Sequence, residues 1–245
     1  MSKLAIYRDF LKAHLWEEWE GLKPPQVRNE PKPAEQKPYP PDARLVDLVA
    51  PEQWQITSVP LLEILKKRRS LRRYASEPLS LPELSFLLWA TQGVSGPNPQ
   101  FRTAPSAGGR HPFETYIAAL SVADLPIGLY RYLPLQHKLL PLREKADLAA
   151  EVATACYNQP FITGSAVVFM WTAVPMRTEW RYSIISHKMI AIDAGHVCQN
   201  LYLAAESIGA GACAIGKYHQ ERMDQFLGVT GETEFAIYAA AVGKR

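Results

Sequence analysis

The sequence predicts an α+β fold in which helices pack on a mixed sheet. Runs rich in β-branched and aromatic residues alternate with runs of helical periodicity, and no internal repeat is present. Of the 245 residues, 47% are hydrophobic, which is enough to build a real core. Because the first two predicted strands follow each other directly, as in a hairpin, a mixed sheet is favoured over a strictly parallel one.

The first part of the chain, residues 1–60, is predicted to be a helix followed by an extended arm. An amphipathic helix is expected over the first twenty residues, because apolar side chains recur at helical spacing. They are Leu4, Tyr7, Leu11 and Leu15. Nine prolines between Pro24 and Pro60 disfavour long helices and favour a polyproline-like arm. Apolar residues between Leu45 and Ile56 indicate that this arm wraps a core or a partner subunit, rather than being a disordered linker.

Residues 61–245 are predicted to form the main domain. Pro60 suits the first turn of a helix that runs through Arg69. Ser80 and Glu83 have the spacing of a capping box, and the helix that they begin is expected to end near Gly93. Further helices are predicted at Glu144–Tyr157, Ser183–Ile208 and Gln220–Leu227. Strands are predicted at Thr115–Leu120, Leu129–Leu133, Ala166–Val174 and Phe235–Val242.

Charge and composition argue against several function classes. The net charge of +3 is too small to indicate a nucleic-acid partner or an anionic membrane surface. Neither a signal peptide nor an uninterrupted apolar run of membrane-spanning length is present, which predicts a soluble cytoplasmic protein. The three widely spaced cysteines suit buried, reduced thiols rather than disulfides. No metal is expected, since no H-E-x-x-H or similarly spaced ligand set occurs.

A dense basic run between Lys66 and Arg73 is the first candidate binding site. Six of the eight residues in KKRRSLRR are cations. At the end of the predicted helix, Arg68, Ser70 and Arg72 can direct guanidinium groups and a hydroxyl toward one phosphate, which needs several charge-assisted donors. A solvated basic face is the alternative that the run alone leaves open.

Three other segments can approach a ligand closely. In Ala104–Pro112, small residues let the backbone reach a flat ring or a phosphate, and Ser106 can donate a hydrogen bond. Gly209–Gly216 is interpreted as a loop with available backbone amides; its glycine spacing and its position after a helix both differ from a Rossmann loop. Lys244 and Arg245 directly follow the last predicted strand. Taken singly, each segment also fits an ordinary turn, loop or solvated tail.

In their order and spacing, these segments resemble the flavin-dependent nitroreductase superfamily. The motifs that carry the resemblance are RRSLRRY (68–74), APSAGGRHPFE (104–114), GHVCQNLYLAAESIGAGACAIG (195–216) and AVGKR (241–245). Within that superfamily the sequence most resembles the SagB-type dehydrogenases, the branch of the thiazole- and oxazole-forming oxidases. That resemblance rests on PLSLPELSFLLWATQGV (78–94), GLYRY (128–132), the GH-x-x-QN element and the proline-rich arm. It implies a homodimer with a nitroreductase-like fold, whose central mixed, mainly antiparallel sheet is flanked by helices.

The resemblance further implies that flavin mononucleotide (FMN) lies between the two subunits. The phosphate and the pyrimidine side of the flavin would be held by Arg68, Arg69, Ser70 and Arg72, with Lys244 or Arg245 closing on the phosphate. The other subunit would contribute Pro105, Ser106, Ala107 and Gly108. Backbone amides near the flavin N5 would come from Ala214, Ile215 and Gly216, and Gln159 would contact the ring edge.

Two departures from the family pattern bear on the chemistry. Gly109 stands where many nitroreductases carry Asn, so one polar contact is lost or is supplied by Arg110 or His111. The azoline-oxidising members use a Lys-Tyr pair before the long helix, where this chain has Arg181 and Tyr182 as its candidate catalytic residues. Because an arginine stays protonated near neutrality, it cannot replace lysine as a proton shuttle. Tyr182 remains as an acid or an orienting group, and azoline oxidation is not favoured.

The implied function is that of an FMN-dependent oxidoreductase, which transfers hydride at N5 in a ping-pong order and acts on a small-molecule or peptide substrate. A first alternative is a nitro or quinone reductase, for which NAD(P)H would be the electron donor. A second alternative, from another class, is a non-catalytic scaffold that binds flavin or a partner peptide.

Overall fold

A seven-stranded sheet forms the centre of the structure, a computed structural model that describes residues 2–245. The strands are β1 (Val46–Asp47), β2 (Phe113–Ala119), β3 (Gly128–Leu133), β4 (Lys138–Glu144), β5 (Val167–Ala173), β6 (Ala210–Ile215) and β7 (Phe235–Lys244). They lie in the order β1-β4-β3-β2-β5-β7-β6, and all six neighbouring pairs are antiparallel. A single bridge between Leu79 and Val122 is parallel. The expected mixed, mainly antiparallel sheet is therefore confirmed.

Seven helices surround the sheet in the described part of the chain. They are α1 (Lys3–Asp9), α2 (Leu61–Lys67), α3 (Leu81–Gln92), α4 (Leu148–Ala155), α5 (Met176–Tyr182), α6 (Ser186–Ser207) and α7 (Gln220–Leu227). The predicted capping box is present: the Ser80 hydroxyl accepts from the Glu83 N–H, and the Glu83 carboxylate accepts from the Ser80 N–H at 2.9 Å. The helix so begun ends at Gly93, as the sequence predicts.

Two hydrophobic clusters lie on opposite faces of the sheet. One packs α3 and α6 against the sheet, and the other packs α4 and α7. In β5, Phe169 and Trp171 belong to the first cluster, whereas Val168 and Met170 belong to the second. This alternation follows from the two-residue period of a strand. It also explains the continuous apolar run of β5, which is buried on both faces.

Several element predictions are wrong in their bounds or kind. The predicted loop at Gly209–Gly216 is mostly strand β6, whose pairing with β7 outweighs a composition of small residues. Strand β4 and helix α5 were not expected, and Glu144 ends β4 instead of beginning a helix. Short elements such as these carry little periodicity of their own.

The helix predicted over the first twenty residues is wrong beyond Asp9. Helix α1 ends there, and His14–Gly21 is a 3-10 segment. The apolar stripe that suggested one long helix has little to pack on, because Leu4 and Leu11 are both exposed. Met1, the first residue of the predicted helix, lies outside the described residues.

The proline-rich arm wraps the core of its own chain. Four buried charged side chains hold its backbone. Arg177 donates to the Ala34 carbonyl at 2.9 Å, Arg131 to the Pro38 carbonyl at 2.9 Å and Arg102 to the Glu35 carbonyl at 3.2 Å, while Glu114 accepts from the Lys37 N–H at 2.7 Å. Of the two alternatives that the sequence left open, packing on the chain's own core is observed.

Within residues 2–245, no helix is both long and apolar enough to cross a bilayer.

Candidate functional site

The basic segment after α2 lies against the β6–β7 end of the sheet. The Leu71 N–H donates to the Ala212 carbonyl at 2.9 Å, and the Ala75 N–H donates to the Lys244 carbonyl at 3.0 Å. Two glycines that face each other across β6 and β7 make this approach possible. A Cβ on Gly211 would lie 2.6 Å from the Leu71 side chain, and one on Gly243 would lie 2.8 Å from the Tyr74 ring.

This placement leaves a set of cations open to a ligand. Within residues 2–245, Arg68, Arg69 and Arg72 form no ion pair. Arg69 and Arg72 are exposed, and Arg68 is half-buried with its guanidinium 5.3 Å from the centre of the Tyr202 ring. The Ser70 hydroxyl lies 3.1 Å from that of Tyr202. The Arg69 guanidinium donates only to backbone carbonyls, those of Lys66 and Arg68. Guanidinium groups without a carboxylate partner, beside two hydroxyls, are the donor set that a phosphate requires.

The two C-terminal cations, by contrast, already have carboxylate partners. Lys244 pairs with Glu83, and Arg245 pairs with Glu206. Burial acts to raise the pKa of Glu83, but hydrogen bonds from Lys244 and Ser80 outweigh it and lower that pKa overall. To close on a phosphate, either cation would have to exchange its carboxylate partner for the new anion.

Part of the backbone expected near the flavin ring already forms hydrogen bonds within the chain. The Ala214 N–H donates to the Tyr202 hydroxyl at 2.8 Å, and Ile215 lies in the β6–β7 ladder opposite Ala239. Gly216 follows the strand and is exposed. The Gln159 side chain donates to the carbonyl of Lys217 at 2.9 Å, which places it next to Gly216. Gln159, Ala214, Ile215 and Gly216 thus lie in one neighbourhood.

The loop containing Pro105, Ser106, Ala107 and Gly108 is held by one buried carboxylate, Asp193 of α6. The Ser106 hydroxyl donates to Asp193 at 2.6 Å and the Ala107 N–H donates to it at 3.1 Å. Burial raises the pKa of Asp193, against the hydrogen bonds from Ser106 and Ala107 that act to lower it. The hydroxyl of Ser106 thus donates to a carboxylate of its own chain, while Pro105 and Gly108 are exposed.

The candidate catalytic pair lies directly against that loop. Gly108 has a φ of +58°, and a Cβ there would lie 2.5 Å from the Tyr182 hydroxyl and 3.2 Å from Cδ of Arg181. The Arg181 guanidinium lies 5.4 Å from the centre of the Tyr182 ring. Both side chains, and the loop that the sequence assigned to flavin binding, thus belong to one cluster.

Neither candidate replacement for the family's Asn is directed at a ligand. Arg110 donates to the Arg177 carbonyl at 2.9 Å and stacks over Trp180. A ring nitrogen of His111 lies 2.8 Å from the Gln100 carbonyl. Burial, aided by the neighbouring Arg102 cation, lowers the pKa of His111 to about 4, so its imidazole is neutral at physiological pH.

Within one chain the site residues form two separate clusters, joined by α6. Asp193 holds the loop cluster, and Tyr202 touches the cluster of Arg68 and Ser70. The two residues are nine positions apart, which corresponds to about 13 Å along the helix. The sequence-based prediction missed both residues, because their contacts span many residues along the chain. A signal for Asp193 did exist, since it is a lone acidic residue at core spacing between Ile190 and Val197.

Comparisons with known proteins agree on one family. The model of the Nitroreductase family matches residues 65–244. A protein of Methanocaldococcus jannaschii named as a nitroreductase is 33% identical over 190 residues, which is 78% of this chain and 93% of that protein.

Solved structures share the fold. A Ralstonia eutropha protein described as a nitroreductase is 29% identical, with a TM-score of 0.68 over 91% of this chain and 95% of its own. An Anabaena variabilis protein of the same description is 29% identical, with a TM-score of 0.65; the match covers 75% of this chain but 38% of that longer protein.

Two more distant structures have the fold in common with this chain. A chain of the E. coli microcin synthetase McbBCD, solved with truncated pro-MccB17 bound, is 17% identical, with a TM-score of 0.63 over 99% of this chain and 92% of that one. A Desulfovibrio desulfuricans protein in complex with FMN is 20% identical, with a TM-score of 0.51 over 76% of this chain and 87% of that one. From the family match and the M. jannaschii relative, we conclude that this chain belongs to the nitroreductase family.

Proposed function

We propose that the protein is an FMN-dependent oxidoreductase whose phosphate site is the segment Arg68–Arg72. The observation that carries the proposal is the set of arginines without ion-pair partners beside the Ser70 and Tyr202 hydroxyls. Their segment lies against the sheet in a notch, the space that Gly211 and Gly243 leave for Leu71 and Tyr74. A phosphate dianion compensates such a cluster, and several charged donors compensate the phosphate for its lost hydration. A protein of the same fold, that of D. desulfuricans, binds FMN.

A bound FMN would supply the redox chemistry, which is hydride transfer at N5 in a ping-pong order between a donor and an acceptor molecule. This chain's own residues bind and orient it. Arg68, Arg69, Ser70 and Arg72 hold the phosphate and the pyrimidine side, and Lys244 or Arg245 joins them after releasing its carboxylate. The exposed backbone at Gly216, with Ala214, Ile215 and Gln159 beside it, would contact the ring.

The second half of the site comes, in this proposal, from the partner subunit of a homodimer. The two clusters of one chain are separated along α6, and the loop tip at Pro105 and Gly108 is exposed. Apolar side chains left exposed in the single chain are expected at an interface. They include Ile192 on α6 and Leu61, Leu62 and Leu65 on α2. A monomer in light scattering with flavin still bound would contradict this arrangement.

Tyr182 and Arg181 are the proposed catalytic residues at the loop. The Tyr182 hydroxyl can donate a hydrogen bond to a substrate atom, and Arg181 can stabilise developing negative charge, but Arg181 cannot act as a base. These roles fit the reduction of a nitro compound or a quinone with NAD(P)H as donor. The second candidate is a SagB-type dehydrogenase that oxidises an azoline. It is supported by the sequence motifs at 78–94 and 128–132, whereas Arg181 in place of lysine speaks against it.

Anaerobic reduction of the bound flavin separates these functions. The purified protein should be yellow, and NAD(P)H should bleach it within the time of a turnover if the protein is a reductase. A flavin that stays oxidised with NAD(P)H but is reduced by an azoline substrate would identify the dehydrogenase. A protein that binds no flavin after incubation with excess FMN would contradict the proposal and favour the scaffold.

A further inference from the structure

An aromatic cluster covers the candidate catalytic pair from the side of the N-terminal 3-10 segment. The ring centres of Trp16 and Trp19 are 5.6 Å apart, and each lies 6.3 Å from that of Tyr182. The Trp16–Tyr182 contact is edge-to-face, with an interplanar angle of 72°. Trp16 is 44% exposed and Trp19 is half-buried, so ring surface remains open to solvent.

Trp16 also lines an apolar cavity of about 300 Å³ between the 3-10 segment and the start of α6. Its other apolar walls include Phe10, Leu15, Ile184, Met189 and Ile192. Apolar cavities of this size, with few polar groups, are typical of small-molecule sites. The segment is fastened in place, because the Lys188 ammonium donates to the carbonyls of Leu11 and Lys12.

We infer that Trp16 and Trp19 are specificity-determining residues, which form with Tyr182 an aromatic wall of the substrate pocket. The wall selects a small planar conjugated ring, because such a ring stacks on indole and phenol faces whereas a saturated ring of the same size does not. It disfavours an extended peptide, which would have to displace the segment fastened by Lys188. This inference rests on the proposed function, since the wall lies beside Tyr182 and the loop at Gly108.

Equilibrium binding to the full-length, flavin-loaded protein tests the wall without requiring turnover. The probes are naphthamide and its saturated counterpart decahydronaphthamide, two neutral ligands of similar size, measured by calorimetry. We expect the wild type to bind naphthamide about tenfold more tightly, and Trp16→Leu and Trp19→Leu each to lose about twofold to tenfold of that preference. Trp16→Phe, which keeps a ring, should retain most of it.

Trp54→Leu is the matched control, because it removes an indole from a different aromatic cluster, in which the Trp54 ring centre lies 5.4 Å from that of Phe86 and 5.3 Å from that of Trp89. It should leave the preference unchanged. Equal affinity of the wild type for both probes, or an unchanged preference in both Trp→Leu variants at wild-type flavin content, would overturn the inference. Flavin content is measured on the same samples, so a protein without flavin contradicts the proposed function, whereas a flavin-loaded protein without ring preference contradicts this inference alone.

Discussion

Asp193 fixes the loop on which the proposed two-subunit site depends. Its carboxylate accepts hydrogen bonds from Ser106 and Ala107, and Gly108, which packs on Tyr182, follows directly. A carboxylate offers acceptor oxygens on both sides of the group, whereas an amide replaces one of them by an NH₂ donor. Asp193 is thus a positioning residue, since it acts through the loop rather than on a ligand.

The variant Asp193→Asn should weaken FMN binding by about tenfold, because a loop donor left without its acceptor costs roughly 1–3 kcal/mol and the loop would shift. The measurement is the FMN dissociation constant from fluorescence titration. Asp224→Asn is the control, since Asp224 is also a buried helical aspartate that accepts from a backbone N–H, that of Ala236 at 2.7 Å. Both variants should lower the melting temperature. Equal flavin affinities would show that Asp193 only stabilises the fold.

His111 should make stability depend on pH on the acid side. Its folded pKa of about 4 lies below its usual value near 6.5, so only the unfolded chain takes up a proton between these values. This contribution to stability is fully present above pH 6.5 and is lost as the pH falls toward 4, by about 3 kcal/mol in total. In urea titrations at a series of pH values, His111→Asn should remove most of this slope. An unchanged slope would mean that His111 has the same pKa in the folded and the unfolded chain.

The notch made by Gly211 and Gly243 is what seats the basic segment on the sheet. Leu71 and Tyr74 occupy the space that side chains on these two glycines would need. Strand β6 therefore requires glycine for a packing reason, which also explains why its small-residue composition did not predict a strand. The placement of Arg68–Arg72 follows from this local fit.

Gly211→Ala should consequently disturb the phosphate site. Its new methyl group would lie 2.7 Å from Leu71 Cβ, so the segment must shift, at a cost of roughly 1–3 kcal/mol. We expect a lower melting temperature and a several-fold weaker affinity for FMN. Gly164→Ala is the control, because no atom lies within 4 Å of a Cβ there. If Gly211→Ala bound flavin as tightly as Gly164→Ala, the notch would not position the site.

How far the sequence predicts each element depends on where its stabilising contacts lie. The capping box of α3 and the apolar run of β5 are local signals, and both predictions hold. Strand β6 and helix α5 depend on neighbours distant in the chain, and were missed. The same reason applies to the site: Arg68–Arg72 is a local motif, whereas Asp193 and Tyr202 become recognisable only through contacts with loops far away in sequence.

Across the whole chain, the buried charged residues that stabilise the fold are different from the arginines proposed to bind a ligand. Arg177 and Glu114 form a buried ion pair, and both contact the arm. Replacing only one member of such a pair destabilises the fold, because it leaves a buried charge without a partner. The cations at Arg68–Arg72 have no such partners among the described residues. The buried Arg177–Glu114 pair thus stabilises the fold, whereas the basic cluster at Arg68–Arg72 stays available to a ligand.

The flavin content of the double variant Arg68→Ala, Arg72→Ala tests whether these two arginines hold the FMN phosphate. Loss of charged hydrogen bonds to a phosphate costs on the order of 1.5–3 kcal/mol each, so FMN affinity should fall at least about tenfold per residue. Arg8→Ala combined with Arg222→Ala removes the same charge from two exposed positions elsewhere and should stay yellow. We expect the Arg68/Arg72 double variant to be folded and colourless after gel filtration. A variant that keeps the wild-type ratio of flavin to protein would contradict this expectation.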